Sequence, residues 1–170
     1  MQIEPIGTIY SPYETIADMP IQPSGGLGVE GRIKLFPELA EGLADLDGFS
    51  HIIVLYLFHR AGKTELTVTP FLDRQPHGVF AIRAPTRPNR IGLSILALKN
   101  ISGNTLLVEN IDILNGTPLL DIKPYVPQFD QPSTLIHTGW LQSKPAEVQT
   151  TRSDQRFAKP EEEENDDSIR

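Results

Sequence analysis

The sequence predicts a mainly β fold, a single-sheet antiparallel β-barrel with one short helix, from three observations. Runs rich in Ile, Leu, Val, Phe and Thr, of strand length, recur along the chain. Short turns between neighbouring runs favour antiparallel pairing. With many strands and one helical segment, closure removes the unpaired edges that an open sheet would expose.

Residues 6–10 and 31–36 read as strands, separated by a loop at 20–28 that is too rich in Pro and Gly for either regular state and long enough to be functional. Residues 37–46 read as the helix: proline stands in its first turn, Leu39, Leu43 and Leu46 share a face, and Gly48 lies just beyond its end. Strands follow at 49–58, 66–69, 78–83, 93–101 and 105–114, with Ser102, Gly103 and Asn104 turning the last pair into a hairpin. Residues 133–141, with Trp140, read as an extra strand or an interface anchor, Trp140 packing rather than stacking on a base. No internal repeat is evident.

A chain of 170 residues with 39% hydrophobic side chains supports one domain with a real core. The barrel is assigned to 1–142 and a C-terminal extension to 143–170. The absence of cysteine excludes disulfides, zinc-thiolate sites, iron–sulfur clusters and cysteine nucleophiles, and fits a cytoplasmic protein. The N-terminus has no secretory pattern, and the longest apolar run, 52–58, is too short for a membrane span. Of the net charge of −7, a −5 share belongs to the last ten residues, where Glu161 to Glu164, Asp166 and Asp167 crowd together. The tail therefore reads as disordered and the body as nearly neutral, so any contact with nucleic acid must rest on a local patch.

That patch is the stretch FAIRAPTRPNRIGLS at 80–94. Pro85 and Pro88 bias their predecessors toward extended geometry, so Arg83, Arg87 and Arg90 cannot line a helix and instead read as guanidinium groups on a stiff loop. As isolated charges they would be solvated or paired with carboxylates such as Asp73 and Asp121, but stiffness around three arginines points to a geometric task. A second loop, NGTPLLDIKPYVP at 115–127, carries Asp121, Lys123 and Tyr125 at alternate positions, which as a strand end would aim an acid, an amine and a phenol to one side. Together the two loops suggest a site for an anionic or carboxylate-bearing ligand.

Other motifs are weaker. Gly26, Gly28 and Gly31 match the G-x-G-x-x-G spacing, but RIKLF follows as a strand where a dinucleotide site needs a helix. His51 and His59 lie roughly 27 Å apart along one extended segment and cannot hold one ion; with His77 and His137 they make no metal pattern. His59, beside Arg60 at a strand end, is the functional candidate and His51 reads as structural.

The segments DGFSHIIVLYLFH (47–59), GVFAIRAPTRPNRIGLS (78–94) and NGTPLLDIKPYVP (115–127) resemble the signature blocks of the TrmO family, S-adenosylmethionine-dependent tRNA methyltransferases. The resemblance covers the chain from the first strand to about Pro127. It implies a barrel methyltransferase unlike the Rossmann type, a homodimer with its cofactor site near the subunit interface, and methylation of N6 in N6-threonylcarbamoyladenosine 3′ of the tRNA anticodon. It also implies cofactor contacts at Gln22, Pro23, Ser24, His59, Arg60, Arg83, Leu93, Thr117, Pro118, Leu119 and Leu120; the expectation of no metal and no membrane rests instead on the histidine spacing and the short apolar run. Arg83 is the preferred partner of the cofactor's carboxylate or ribose, and main-chain groups of 117–120 would hold the adenine edge. N6 is a poor nucleophile, so Asp121 is the candidate base, with Lys123 and Tyr125 as positioning groups or alternatives. Arg87, Asn89 and Arg90 would meet tRNA phosphate or the threonyl carboxylate.

Longer family members carry a C-terminal domain that helps engage tRNA, whereas about forty residues follow Pro127 here and end in acid. Two other readings stay open: a small-molecule acceptor, and a noncatalytic barrel that binds the cofactor or RNA.

Overall fold

Alternation of buried and exposed residues along one strand after another closes the sheet on itself. The computed structural model describes residues 2–17, 19–142 and 145–159. Its strands are β1 (Gly7–Tyr10), β2 (Glu30–Leu35), β3 (His51–Leu57), β4 (Thr67–Val68), β5 (His77–Gly78), β6 (Ile91–Ser102), β7 (Thr105–Glu109) and β8 (Thr117–Pro124). Six of them form a closed barrel in the order β1-β2-β7-β6-β3-β8, every neighbouring pair antiparallel. The short pair β4–β5 stands outside it.

Period-two burial sets the interior. Ile33, Ile52, Val54, Leu96, Leu106, Val108 and Leu119 point inward and lose essentially all contact with solvent. Leu43 and Leu46 join the same core. Gly103, at φ 58°, makes the β6–β7 turn at the expected place. Gly92 faces the Tyr56 ring, which occupies the space a Cβ would need. Gly92→Ala is therefore expected to cost about 1–3 kcal/mol of stability by urea denaturation. A change within a few tenths of a kcal/mol would mean that the ring is free to move.

Several local expectations are corrected. The helix at 37–46 is instead a 3-10 segment, Pro37–Leu43, and a separate 3-10 turn, Leu46–Gly48, divided by Asp45 in the left-handed region. Leu39 is exposed, so Leu43 and Leu46, three apart, make the anchorage, and a stretch holding Pro37 and Gly42 has little propensity to nucleate a longer α-helix. The strand at 78–83 shortens to β5 followed by a 3-10 turn, Val79–Ala81, and lies outside the barrel. The strand at 105–114 stops at Glu109, because Asn110 takes φ 68° and redirects the chain. The stretch 115–127, read as a loop, is mostly β8, its prolines near the two ends where missing donors are tolerated. Residues 133–141 form no strand, only a 3-10 turn at Gly139–Leu141.

Among the described residues beyond β8 come two short helices, α1 (Pro127–Asp130) and α2 (Pro145–Thr150), then a 3-10 turn, Gln155–Phe157. This segment folds back on the barrel's loops: the Ser153 amide donates to Met19 O (2.8 Å), Gly62 to Phe157 O (2.8 Å) and Lys159 to Arg60 O (3.0 Å). Phe157 packs with Val68, Ile82 and Ala84 in a second small core, against which Phe71 and Trp140 lie. The acidic tail, 160–170, lies outside the described residues.

Candidate active site

Where β3 ends and the arginine loop, the 20–28 loop and the C-terminal segment converge, they enclose a cavity of about 940 Å³. Gln22, Pro23, Ser24, His59, Arg60, Arg83, Leu93 and Thr117 all line it. The 20–28 loop holds a 3-10 turn, Pro23–Gly25, against which α2 packs, and no helix follows its glycines. Arg83 Nη1 donates to Gln22 Oε1 at 3.0 Å and so ties the two loops together across the mouth.

At the cavity floor lies a polar chain. Ser94 Oγ donates to Asp112 Oδ1 at 2.7 Å, and with that proton committed the Tyr56 hydroxyl donates to Ser94 Oγ at 3.1 Å. Inward-facing positions on β3 and β6 bring Tyr56 and Ser94 together; Asp112 arrives from the segment that leaves β7 between buried Ile111 and Ile113. Burial pushes the Asp112 carboxyl up to about 7, against the lowering effects of the Ser94 hydrogen bond and the Arg83 charge. Burial, and then the Asp112 charge, raises the Tyr56 phenol. Burial first, and Arg60 second, lower His59.

The Asp112 shift has a definite sign. Between the carboxyl's ordinary 3.8 and about 7 the folded protein binds the extra proton, so rising pH weakens the fold across that window. Asp112→Asn is expected to melt higher than the parent, by a margin that grows from pH 4 to 7 and then levels off. The plateau is of the order of 4 kcal/mol at 1.36 kcal/mol per unit. Melting curves over this range check it, and a pH-independent difference would show that the carboxyl is not buried as described.

The other predicted residues divide. Pro118, Leu119 and Leu120 stand in β8 rather than a loop and are absent from the cavity wall; Leu119 is wholly inside the barrel. The Arg87 guanidinium donates to Ile82 O (2.9 Å), Val79 O (3.3 Å) and Ala84 O (3.5 Å), so it braces its own loop. Asn89 is exposed, and Arg90 takes φ 51° at the loop's end.

Asp121, Lys123 and Tyr125 do not line the cavity. Alternation from inward Leu119 would turn Asp121 inward as well. A register shift pairs Leu119 with Tyr56 but Asp121 with Leu55, skipping Leu120 and reversing the parity. Asp121 thus faces outward, its carboxylate 2.6 Å from Lys123 Nζ. It shares that face with an apolar run, Ile91, Leu93 and Ile95, whose members are 36%, 45% and 38% exposed and reach the cavity's rim. Trp140 packs as expected: its indole donates to Ala81 O (2.9 Å) and stacks on His77. His51 is exposed and bonded to Ser50.

Tyr56, Ser94 and Asp112 escaped the sequence reading. The available signal was a single acid inside the apolar run IDIL and a serine at an inward position of a strand. Among the described residues, no three acidic or imidazole side chains gather as a metal site.

A family profile described as the tRNA-methyltransferase O N-terminal domain matches residues 8–131. A Pyrococcus abyssi protein named a probable S-adenosyl-L-methionine-binding protein is 49% identical over 153 residues, which are 90% of this chain and 83% of that one. The human tRNA (adenine(37)-N6)-methyltransferase is 35% identical over 142 residues, covering 78% of this chain but 32% of its own length. The crystal structure of TrmO from Pseudomonas aeruginosa superposes with a TM-score of 0.69 at 36% identity, over 82% of this chain and 62% of that one. The chain thus spans about a third of the human enzyme and under two thirds of the Pseudomonas protein.

Proposed function

The chain belongs to the TrmO family, and on that premise we propose that it is an S-adenosylmethionine-dependent methyltransferase that methylates N6 of N6-threonylcarbamoyladenosine beside the tRNA anticodon, in the cytoplasm and as a homodimer. The observation that carries the reading is the convergence of Gln22 to Ser24, His59, Arg60, Arg83, Leu93 and Thr117, from five separated stretches of chain, on one cavity. Its volume of about 940 Å³ suits a nucleoside-sized ligand, and its wall offers both apolar surface (Pro23, Phe58, Leu93) and a few polar groups.

Bound there, S-adenosylmethionine would supply a methyl group that its sulfonium makes electrophilic. The protein's share is alignment of N6 with the carbon–sulfur bond, exclusion of water and removal of the N6 proton. Arg83, held by Gln22, is the anchor for the cofactor's carboxylate or ribose. Asn89 and Arg90, with any edge that Arg87 leaves free, meet tRNA phosphate or the threonyl carboxylate. The Asp121 carboxylate is the proton acceptor, Lys123 orients it, and Tyr125 positions the base.

A dimer reconciles Asp121 with the cavity. The outer face of β8, β3 and β6 carries Asp121 beside exposed Ile91, Leu93 and Ile95, and an apolar stripe of this kind is suited to pairing with a second copy. Because that stripe runs into the cavity's rim, pairing through it brings the partner subunit's Asp121 toward the site.

The test is transfer of labelled methyl from S-adenosylmethionine to two tRNA pools, one carrying threonylcarbamoyladenosine and one unable to form it. Label confined to the modified pool, and found in that nucleoside by mass spectrometry, is the expected result. Cofactor binding without label in either pool would overturn the assigned substrate and turn the search to small acceptors.

A further inference from the structure

Asp112 and Asp154 both line the cavity without a part in the proposed reaction, and Asp154 is already paired with Arg156 at 2.7 Å. The hydrogen bonds of Asp112 come from Ser94 and from its own main-chain amide, so the rest of its acceptor capacity faces the cavity. Tyr56 and Ser94 hold it in one orientation, and neither can neutralise it. Arg83 is close enough for its charge to act on both Asp112 and Tyr56, yet its guanidinium donates to Gln22 and forms no ion pair with Asp112. A carboxylate and a guanidinium therefore share one cavity without touching. Arg83 stands exposed at the mouth, whereas the Asp112 carboxylate is desolvated with no cation against it, so its charged form is favoured only when a cationic group fills the gap.

We propose that Asp112 and Arg83 form a clamp for a zwitterionic α-amino acid group, Asp112 receiving the ammonium and Arg83 the carboxylate. The inference rests on the methyl-donor reading of this cavity and deepens it: the clamp takes the amino-acid end of S-adenosylmethionine and leaves the apolar wall to the adenosine. Two consequences follow from the chemistry. The clamp discriminates between nucleosides that carry the amino acid and those that lack it. An ammonium beside Asp112 also favours its charged form, so binding releases a proton where the empty site holds one, and affinity weakens as pH falls below about 7.

The experiment is calorimetric titration of the full chain with S-adenosylhomocysteine, which carries the amino acid group, and with methylthioadenosine, which lacks it. The wild type is expected to bind the first at least thirtyfold more tightly. Asp112→Asn should lose most of that preference by weakening S-adenosylhomocysteine alone, and Arg83→Gln should do the same. Affinity of the wild type for S-adenosylhomocysteine should fall several-fold from pH 7 to pH 6, a dependence that Asp112→Asn abolishes. Equal weakening of both nucleosides would put Asp112 at the adenosine and overturn the clamp, as would undiminished binding by Asp112→Asn. Failure of the wild type to bind either would remove the methyl-donor reading and the clamp with it. Tight binding of both nucleosides without preference would remove the clamp alone.

Discussion

An equal mixture of Asp121→Asn and Arg83→Ala protein, allowed to exchange subunits, is expected to regain about a quarter of wild-type methyl transfer, although each variant alone is nearly inactive. Asp121 faces outward from its own barrel, with its carboxylate on Lys123, whereas Arg83 lines the cavity. If the base reaches the cavity of the other subunit, half of the randomised dimers are mixed, and each mixed dimer has one site with both residues intact. Asp121→Asn alone should retain cofactor affinity while single-turnover methylation falls by about 10²–10⁴, the range for loss of a general base. The fold should hardly notice, because an exposed ion pair contributes about 1 kcal/mol or less. No recovery on mixing would place Asp121 outside the reaction in trans, and full activity of Asp121→Asn would place the base elsewhere.

Leu55→Arg should give a monomer with methyl transfer lowered by more than about a hundredfold, as expected when a shared site is dismantled. Leu55 pairs with Leu93 on one side and Asp121 on the other, at the centre of the outer face, and it does not line the cavity. A charge there has no partner once a second copy covers it, and desolvation then opposes association. Light scattering reads the assembly and cofactor titration reads the intact cavity. A monomeric Leu55→Arg that methylates at the wild-type rate would dispose of the shared site.

Much of the architecture was legible because strand periodicity is a local property. Ile33, Ile52, Val54 and Leu96 alternate with polar or half-exposed neighbours, and any closed sheet must turn them inward. The hairpin at Gly103 was equally plain. The region from 66 to 86 was not. Its short apolar runs have strand composition, but most of it is held by the return of Phe157 and Trp140, separated from it by more than fifty positions. Segments whose hydrogen bonds go to distant chain have no period to read.

By itself the sequence determined an arginine loop stiffened by Pro85 and Pro88 and three motif blocks, whose family resemblance implies a cofactor set of which Gln22, His59, Arg83, Leu93 and Thr117 do line one cavity. Composition and motif survive without knowledge of register. Which way each side chain faces was left to the tertiary structure. One skipped residue at Leu120 reverses parity and sends Asp121 and Lys123 to the outer surface. The crossing at Asn110 brings Asp112 onto Ser94, eighteen residues away along the chain. Strand pairing fixes facing only modulo two, so a single bulge or a single crossing, invisible to local pattern, settles whether a carboxylate meets the cavity or the outer surface.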